Sequence, residues 1–264
     1  MSIIIQVTLK GIFRDRVFQG IMVLALLLLA VPSAASLSMR QVTELSITLS
    51  LSIISFILLL LSVFLGGTVI WKDIERRYTF SVLTLPVSRT AYLVSRFLGI
   101  SLFLCLTSTL LGGVSLLVVK AASTIYPPDR PVVYGYIVVS ILFSTLKYIL
   151  VVAVAMLLST VSTSFFLPIF GTICTVLASG VSQEVYDYLL SPASRGAVHP
   201  FVRSLASAVY YLIPNFAGFD LKVNAIYAIP PNPQRLFLSV GYFFAWVAIL
   251  LGGASLLFQR REMK

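Results

Sequence analysis

Apolar stretches long enough to cross a bilayer recur along the 264 residues of this chain, and they restrict its fold more than any other feature. A helix needs about 20 such residues to cross a hydrocarbon core of about 30 Å. It also satisfies its backbone hydrogen bonds within its own segment, as lipid requires. The short alternating segments of a membrane β-barrel are not seen. We therefore predict an all-α membrane protein with six transmembrane helices, at about 17–37, 46–71, 94–118, 133–157, 164–182 and 236–258.

The composition excludes an ordinary soluble domain. Hydrophobic residues make up 59% of the chain and charged residues 11%, against about 25% charged residues in a typical soluble domain. So few polar residues cannot cover the surface of a soluble fold. The net charge of +10 does not indicate nucleic-acid binding, because the basic residues cluster at the ends of the apolar stretches rather than in a patch interleaved with aromatics.

Lys and Arg residues are divided unequally between the two sides of the predicted bundle. Leaving out the long connection 183–235, one side has only Arg40, Lys120 and Arg130. Short cytoplasmic segments carry the excess of positive charge in membrane proteins. We therefore predict a multi-pass protein of the cytoplasmic (inner) membrane, with both termini and the 72–93 loop in the cytoplasm. The basic residues on that side are Lys10, Arg14, Arg16, Lys72, Arg76, Arg77, Arg89, Arg96, Arg260, Arg261 and Lys264.

The segments outside the predicted spans complete a single membrane domain, 1–264. Residues 1–16 separate apolar and polar side chains onto different helix faces, which is typical of an amphipathic helix lying in the membrane interface. An extension of the first span is the alternative. The connection 183–235 is the one long enough to hold structure of its own.

The most informative stretch is Trp71–Gly99, between the second and third predicted spans. It mixes charged and apolar side chains and then reaches Pro86, which ends a helix. Ser88 or Thr90 is suited to cap the next helix. The pattern predicts a short amphipathic helix held at the membrane surface, and an ordinary interfacial loop is the alternative.

This stretch resembles the motif between the second and third spans of ABC-2 type transporter permeases. That motif has an acidic residue before Gly-Thr, then leucines, Pro, Ser-Arg and Gly-Lys. The chain departs from it at Tyr78, where glycine is usual, and at Ser95 and Arg96, which stand near the usual Gly-Lys. The matching residues are Glu75, Thr79, Leu83, Leu85, Pro86, Ser88, Arg89 and Gly99.

The resemblance implies that this chain is one of the two permease subunits of an ABC transporter. Two copies, or this chain and a similar permease, would form the translocation path together. Nothing in the chain matches G-x-x-x-x-G-K-[ST], the loop that cradles ATP phosphates. ATP and Mg²⁺ would therefore bind two copies of a separate ATPase subunit, and this chain would not be an enzyme. The 72–90 loop would be the coupling helix that docks on that ATPase. Its implied contact residues are Asp73, Glu75, Arg76, Arg77, Thr79, Phe80, Leu83, Leu85 and Pro86.

A second segment, Tyr210–Lys222, resembles the Leu-Pro-Asn-x-x-x-Phe-Asp segment of one ABC-2 subgroup. That subgroup contains the permease of the nitrous-oxide-reductase maturation system. In such permeases this region forms short external helices that dip toward the membrane and cap the path. An external accessory protein is a further implied partner. The implied external gate consists of Tyr210, Tyr211, Pro214, Asn215 and Phe216.

Two polar stripes lie inside predicted spans. An ammonium at the centre of a span costs about 2.5–3.5 kcal/mol, so Lys147 either lines a path or dimer interface, or it snorkels or hydrogen-bonds within the bundle. Its helix face carries Ser140, Ser144, Lys147 and Tyr148. The second stripe either belongs to the same path or lets helices pack closely. It consists of Thr172, Thr175 and Ser179.

Four functions are compatible with six spans. The leading prediction is the membrane subunit of an ABC exporter. A permease that transmits ATP-driven motion to an external protein, without bulk transport, is the first alternative. An intramembrane enzyme would need paired acids or metal ligands within the spans, and the predicted spans do not supply them. A transporter independent of ATP would usually bind its coupling ion with an intramembrane acid, and the predicted spans contain none.

Overall fold

The computed structural model describes residues 2–28, 42–75, 88–126, 128, 130–192 and 199–260. Every regular element in these ranges is helical, as the apolar stretches predict. The elements are α1 (Ser2–Arg14), α2 (Arg16–Leu28), α3 (Val42–Glu75), α4 (Arg89–Ile125), α5 (Tyr134–Val161), α6 (Phe166–Leu190), α7 (Pro200–Leu212), a 3₁₀ turn (Ala217–Phe219), α8 (Lys222–Ile226) and α9 (Pro233–Arg260).

Five of the helices, α3, α4, α5, α6 and α9, are long and apolar enough to cross a membrane. They confirm the helical, membrane-spanning character predicted for five segments. The predicted span 17–37 coincides with α2 as far as Leu28, and its remainder lies outside the described residues. With 34 and 37 residues, α3 and α4 are about 51 and about 55 Å long at 1.5 Å per residue. Both therefore extend past a hydrocarbon core of about 30 Å.

Contacts at the two ends show that α3 and α4 are antiparallel. At one end the Thr43 hydroxyl donates to the carbonyl of Tyr126, at 3.1 Å. At the other end the carboxylate of Asp73 lies 2.7 Å from the guanidinium of Arg96. The loop that joins these helices therefore leaves the bundle at the Asp73 end.

That end also holds α1 and the last turn of α9. The Thr8 hydroxyl accepts a hydrogen bond from Arg96 at 3.1 Å, and the carbonyl of Gln259 accepts one from Arg89 at 3.0 Å. We call it the basic end, and we call the opposite end, where α3, α5 and α9 begin, the cap end. The N-terminal helix and the end of the last helix therefore lie together, and the compartment that they face stays a prediction.

Helices α3 and α5 form the centre of the bundle. The Ser159 hydroxyl donates to the carbonyl of Gly67 at 3.0 Å. A Cβ atom placed on Gly66 would lie 2.8 Å from the Cβ of Ala155. Glycine therefore permits an approach of the two helices that a larger residue would prevent.

Helices α6 and α9 lie at the periphery. Most of their apolar surface is open, with Leu177 63% exposed and Phe244 64% exposed. In a membrane protein, open apolar faces of this kind are suited to contact lipid or another membrane subunit.

The connection predicted at 183–235 contains short helices, because α6 ends at Leu190 and α7, the 3₁₀ turn and α8 follow it. We call residues 213–226 the cap segment. Its side chains Phe216, Phe219 and Ala225 are buried. It packs against α3, α5 and α6, so this part of the connection is in contact with the cap end of the bundle.

Candidate functional site

A buried polar cluster joins three helices at the basic end. The guanidinium of Arg96, a residue that is 7% exposed, pairs with Asp73 at 2.7 Å. It also donates to the Tyr92 hydroxyl at 3.2 Å and to the Thr8 hydroxyl at 3.1 Å. The Tyr92 hydroxyl in turn donates to the Asp73 carboxylate. We call Thr8, Asp73, Tyr92 and Arg96 the tie cluster, because it fixes α1, the end of α3 and the start of α4 to one another.

The local sequence accounts for this arrangement. Tyr92 and Arg96 are one helical turn apart on α4, so both reach the same carboxylate. A Cβ atom on Gly99 would lie 2.9 Å from Thr8, so glycine at this position lets α1 lie directly on α4. A buried charge is stable only when it is paired and hydrogen-bonded, and the tie cluster provides both.

A second ion pair, nearer to solvent, connects α3 to the junction between α1 and α2. Lys72 lies 3.0 Å from Asp15, with side chains 35% and 29% exposed. Asp15 stands at the junction between α1 and α2. An ion pair with this exposure contributes about 0–1 kcal/mol, so the tie cluster is the stronger of the two connections.

The predicted coupling loop begins and ends beside the tie cluster. Glu75 is the last residue of α3, and Ser88 caps α4 by accepting a hydrogen bond from the Ala91 amide at 3.2 Å. The predicted contact residues Arg76, Arg77, Thr79, Phe80, Leu83, Leu85 and Pro86 lie outside the described residues. The described member Asp73 is engaged inside the chain by Arg96 and Tyr92.

The start of α4 is also fixed to α9. Arg89 donates to the carbonyls of Phe258 and Gln259 at 3.3 and 3.0 Å. The hydroxyls of Thr90 and Ser255 are 2.8 Å apart. Four helices therefore meet where the loop rejoins the bundle.

At the cap end, Asn215 is the centre of a neutral hydrogen-bond network. Its side-chain amide donates to Gln183 on α6 at 2.6 Å and to the Tyr210 hydroxyl on α7 at 3.0 Å. Its backbone amide donates to the Tyr242 hydroxyl on α9 at 2.7 Å. Its side-chain oxygen accepts from the Ala217 amide at 2.9 Å. One residue of the predicted gate thus connects three helices to the cap segment.

Other predicted gate residues lie beside it. Ser179 on α6 donates to the carbonyl of Pro214 at 2.8 Å and accepts from the amide of Phe216 at 3.0 Å. The ring of Tyr210 stacks on Tyr186, with centroids 4.0 Å apart. The structure therefore brings Tyr210, Pro214, Asn215 and Phe216 together, and Tyr211 packs edge-on against Tyr210. Whether they form a gate stays a prediction.

Lys147 lies on α5, a helix against which the cap segment packs. Its ammonium is 5.5 Å from the ring centroid of Tyr148. On the same helix, the buried Ser140 hydroxyl has no hydrogen-bond partner among the described residues, and Ser144 is buried. The residues of the predicted stripe therefore lie on a helix against which the cap segment packs, and whether they line a path or a dimer interface stays a prediction.

The second predicted stripe is organised differently. The hydroxyls of Thr172 and Thr175 donate to carbonyls one turn earlier on their own helix, at 2.5 and 2.7 Å. Ser179 instead holds the cap segment. The sequence groups Ser179 with the threonines because the three residues share a helix face. Spacing along a helix does not reveal which of their hydroxyls has a partner on another element.

No protein-family model matches this chain, and no curated protein matches it. Among the described residues, no group of His, Cys, Asp or Glu side chains is arranged to hold a metal ion. The assignment of a function therefore rests on the geometry of the two ends and on the residues of the coupling and gate motifs.

Proposed function

We propose that this chain is the membrane subunit of an ABC exporter, working as a dimer and driven by a separate ATPase subunit. The observation that carries the proposal is the position of the two residues that flank the 76–87 segment. Glu75 ends α3 two residues after Asp73, and Ser88 caps α4 one turn before Tyr92, so both flanks lie beside the tie cluster. The likeness of the segment's sequence to the ABC-2 coupling motif supports the same role.

Such anchoring suits a loop that receives force from a partner. A displacement of the loop acts on α3 and α4 together, because the Asp73–Arg96 pair joins them. The same displacement acts on α1 through Thr8 and on α9 through Arg89. Since α3 and α4 are continuous helices that reach the cap end, the motion is carried along their length rather than absorbed at a hinge.

The proposal also assigns roles at the cap end. The cap segment would close the external mouth of the path, with Asn215 and Ser179 holding it in place. The stripe of Ser140, Ser144, Lys147 and Tyr148 would face the path or the second subunit. The open apolar faces of α6 and α9 are available for that second copy and for lipid.

Purification of the full chain from its native membrane tests the proposal. A stoichiometric partner that carries the ATP-binding loop and hydrolyses ATP is expected to co-purify. Reversing two charges, with Glu75→Arg and Arg77→Glu together, should release that partner or uncouple its ATPase activity from the permease. A matched change at the cap end, Arg130→Glu, should leave the partner bound.

Two results would contradict the proposal. A homogeneous preparation with no ATPase would remove the ABC assignment and leave the helical membrane fold. A co-purifying ATPase whose binding and activity are indifferent to the charge reversal would show that the 72–90 loop is not the coupling element.

A further inference from the structure

An open cleft of about 340 Å³ lies at the cap end, between the end of α7, the 3₁₀ turn and the first half of α9. Its walls are aromatic, with Tyr210 and Tyr211 on one side and Tyr242 and Trp246 on the other. Arg235 is the charged residue of its lining. The transporter proposal assigns Asn215 of this lining to holding the cap segment, but it gives the cleft itself no role.

The cleft changes character along α9. Its α9 wall is built from Arg235, Leu238, Ser239, Tyr242 and Trp246, a spacing that keeps them on one helix face. Arg235 and Trp246 are eleven positions apart, or about 16 Å at 1.5 Å per residue. Arg235 lies in the first turn of α9, at the end of the bundle, whereas Trp246 lies near the middle of the helix. The cleft therefore runs from a cationic mouth to an aromatic, apolar floor.

The hydroxyls of Tyr210 and Tyr242 in the cleft are already engaged. The Tyr242 hydroxyl accepts from the Asn215 amide at 2.7 Å, and the Tyr210 hydroxyl accepts from the Asn215 side chain at 3.0 Å. Arg235, by contrast, has neither an ion pair nor a hydrogen bond with the described residues. An exposed guanidinium offers planar, bidentate hydrogen bonding, which suits a phosphate group.

The neighbouring helix α7 indicates what surrounds the mouth of the cleft. Its apolar side chains are open rather than packed, with Leu212 76% exposed and Phe201 and Leu205 also exposed. A short helix with one open apolar face and a polar face is suited to lie in the headgroup region of a bilayer. Arg235 directly precedes the predicted span 236–258, whereas Tyr242 and Trp246 lie inside it. We therefore expect the mouth at the level of lipid headgroups and the floor at the level of acyl chains.

We propose that this cleft is a binding site for an anionic phospholipid. The phosphate pairs with Arg235 at the mouth, and part of an acyl chain lies against Leu238, Tyr242 and Trp246. The observations that carry this are the charge of the mouth, the apolar floor and their separation along one helix. The site does not depend on the chain being an ABC transporter subunit.

Trp246 provides a probe inside the cleft. The chain has two tryptophans, so Trp71→Phe, a change at the basic end, leaves Trp246 as the remaining one. The full chain with this substitution is reconstituted into phosphatidylcholine vesicles. One set of vesicles contains phosphatidylglycerol with brominated acyl chains, and the other contains phosphatidylcholine with brominated acyl chains. We expect Trp246 fluorescence to be quenched at a several-fold lower mole fraction of brominated phosphatidylglycerol than of brominated phosphatidylcholine.

Arg235→Gln should remove this preference while leaving quenching by brominated phosphatidylcholine unchanged. Arg130→Gln is the matched control, because Arg130 is at the same end but contacts Tyr227 outside the cleft. It should preserve the preference, which separates binding in the cleft from general attraction of anionic lipid to a basic protein surface.

Three results would overturn the proposal. Equal quenching by the two lipids would show that the cleft has no headgroup selectivity. Selectivity retained in Arg235→Gln, or lost equally in Arg130→Gln, would show that Arg235 is not the recognition group. Relief of quenching by millimolar glycerol 3-phosphate would show that the ligand is a soluble phosphate compound instead of a lipid.

Discussion

The two ends of the bundle hold their helices together by different interactions. At the basic end, the tie cluster depends on a buried ion pair between Asp73 and Arg96. At the cap end, Asn215 and Ser179 hold the cap segment with neutral hydrogen bonds. Removing one member of a buried ion pair is costly because the remaining charge loses its counter-charge. A neutral network loses a smaller contribution for each bond broken. We therefore expect the basic end to lose more stability when one member of its ion pair is removed than the cap end loses when one of its hydrogen bonds is removed.

The largest expected effect comes from Arg96→Met. This change keeps much of the side-chain volume but takes the guanidinium away from the Asp73 carboxylate and the Thr8 hydroxyl. We expect the free energy of unfolding to fall by about 3 kcal/mol, as for other buried ion pairs that lose one member. The midpoint of denaturant unfolding of the detergent-purified chain, followed by intrinsic fluorescence, measures this change.

The double variant Arg96→Met with Asp73→Leu is the control for the charge itself. Replacing both members of a buried pair by apolar groups is often close to neutral. We therefore expect the double variant to recover most of the lost stability. If it is no more stable than Arg96→Met alone, packing rather than charge explains the basic end, and the contrast between the two ends is wrong.

The sequence predicts the membrane-spanning helices well because the length of an apolar run is a local property. The predicted spans are shorter than the helices. For example, α4 runs from Arg89 to Ile125, whereas the apolar run predicts a span at 94–118. Helical hydrogen bonding continues beyond the hydrocarbon core, whereas apolar composition does not. Bounds read from hydropathy therefore mark the lipid-facing part of a helix, not its ends.

The sequence predicts the sites less well because they depend on which helices touch. The sequence places Arg96 among the residues that set orientation and beside the coupling motif, and it does not single out Tyr92 or Thr8. Their cluster exists because Gly99 lets α1 approach α4, a contact that no spacing along the chain reveals. The motif that contains Asn215 resembles a known one, but two of its three helix partners, Gln183 and Tyr242, are 32 and 27 positions away along the chain.

A smaller effect, confined to the cap end, is expected for Asn215→Leu. The change removes the side-chain bonds to Gln183, Tyr210 and the Ala217 amide but keeps the backbone amide that donates to Tyr242. We expect a local loss of about 1–3 kcal/mol. It should appear as faster hydrogen exchange of amides in the cap segment, with the protection of α3 and α4 at the basic end unchanged.

Asn224→Leu is the matched control in the same segment, because with the described residues its side chain makes a single hydrogen bond, to the carbonyl of Ile229 at 3.2 Å. It should change exchange in the cap segment much less. Faster exchange at the basic end in Asn215→Leu would contradict the idea that the two ends are held independently.

The smallest effect is expected at Lys72, and it isolates burial as the cause of the contrast. Lys72, which is next to Asp73 on α3, pairs with Asp15 at the junction of α1 and α2, but the two side chains are 35% and 29% exposed. Water therefore already solvates both charges, and Lys72→Met should cost less than about 1 kcal/mol.

The dependence on salt separates the two ion pairs further. The screening length falls from about 10 Å at 0.1 M to about 3 Å at 1 M salt, so the small cost of Lys72→Met should disappear at 1 M. The cost of Arg96→Met should persist, because salt ions do not reach a guanidinium that is 9% exposed. If instead both costs vanish together, the Asp73–Arg96 pair is accessible to solvent in the membrane protein. The basic end would then be loosely joined, and a force applied to the 76–87 loop would not be shared by α1, α3 and α4.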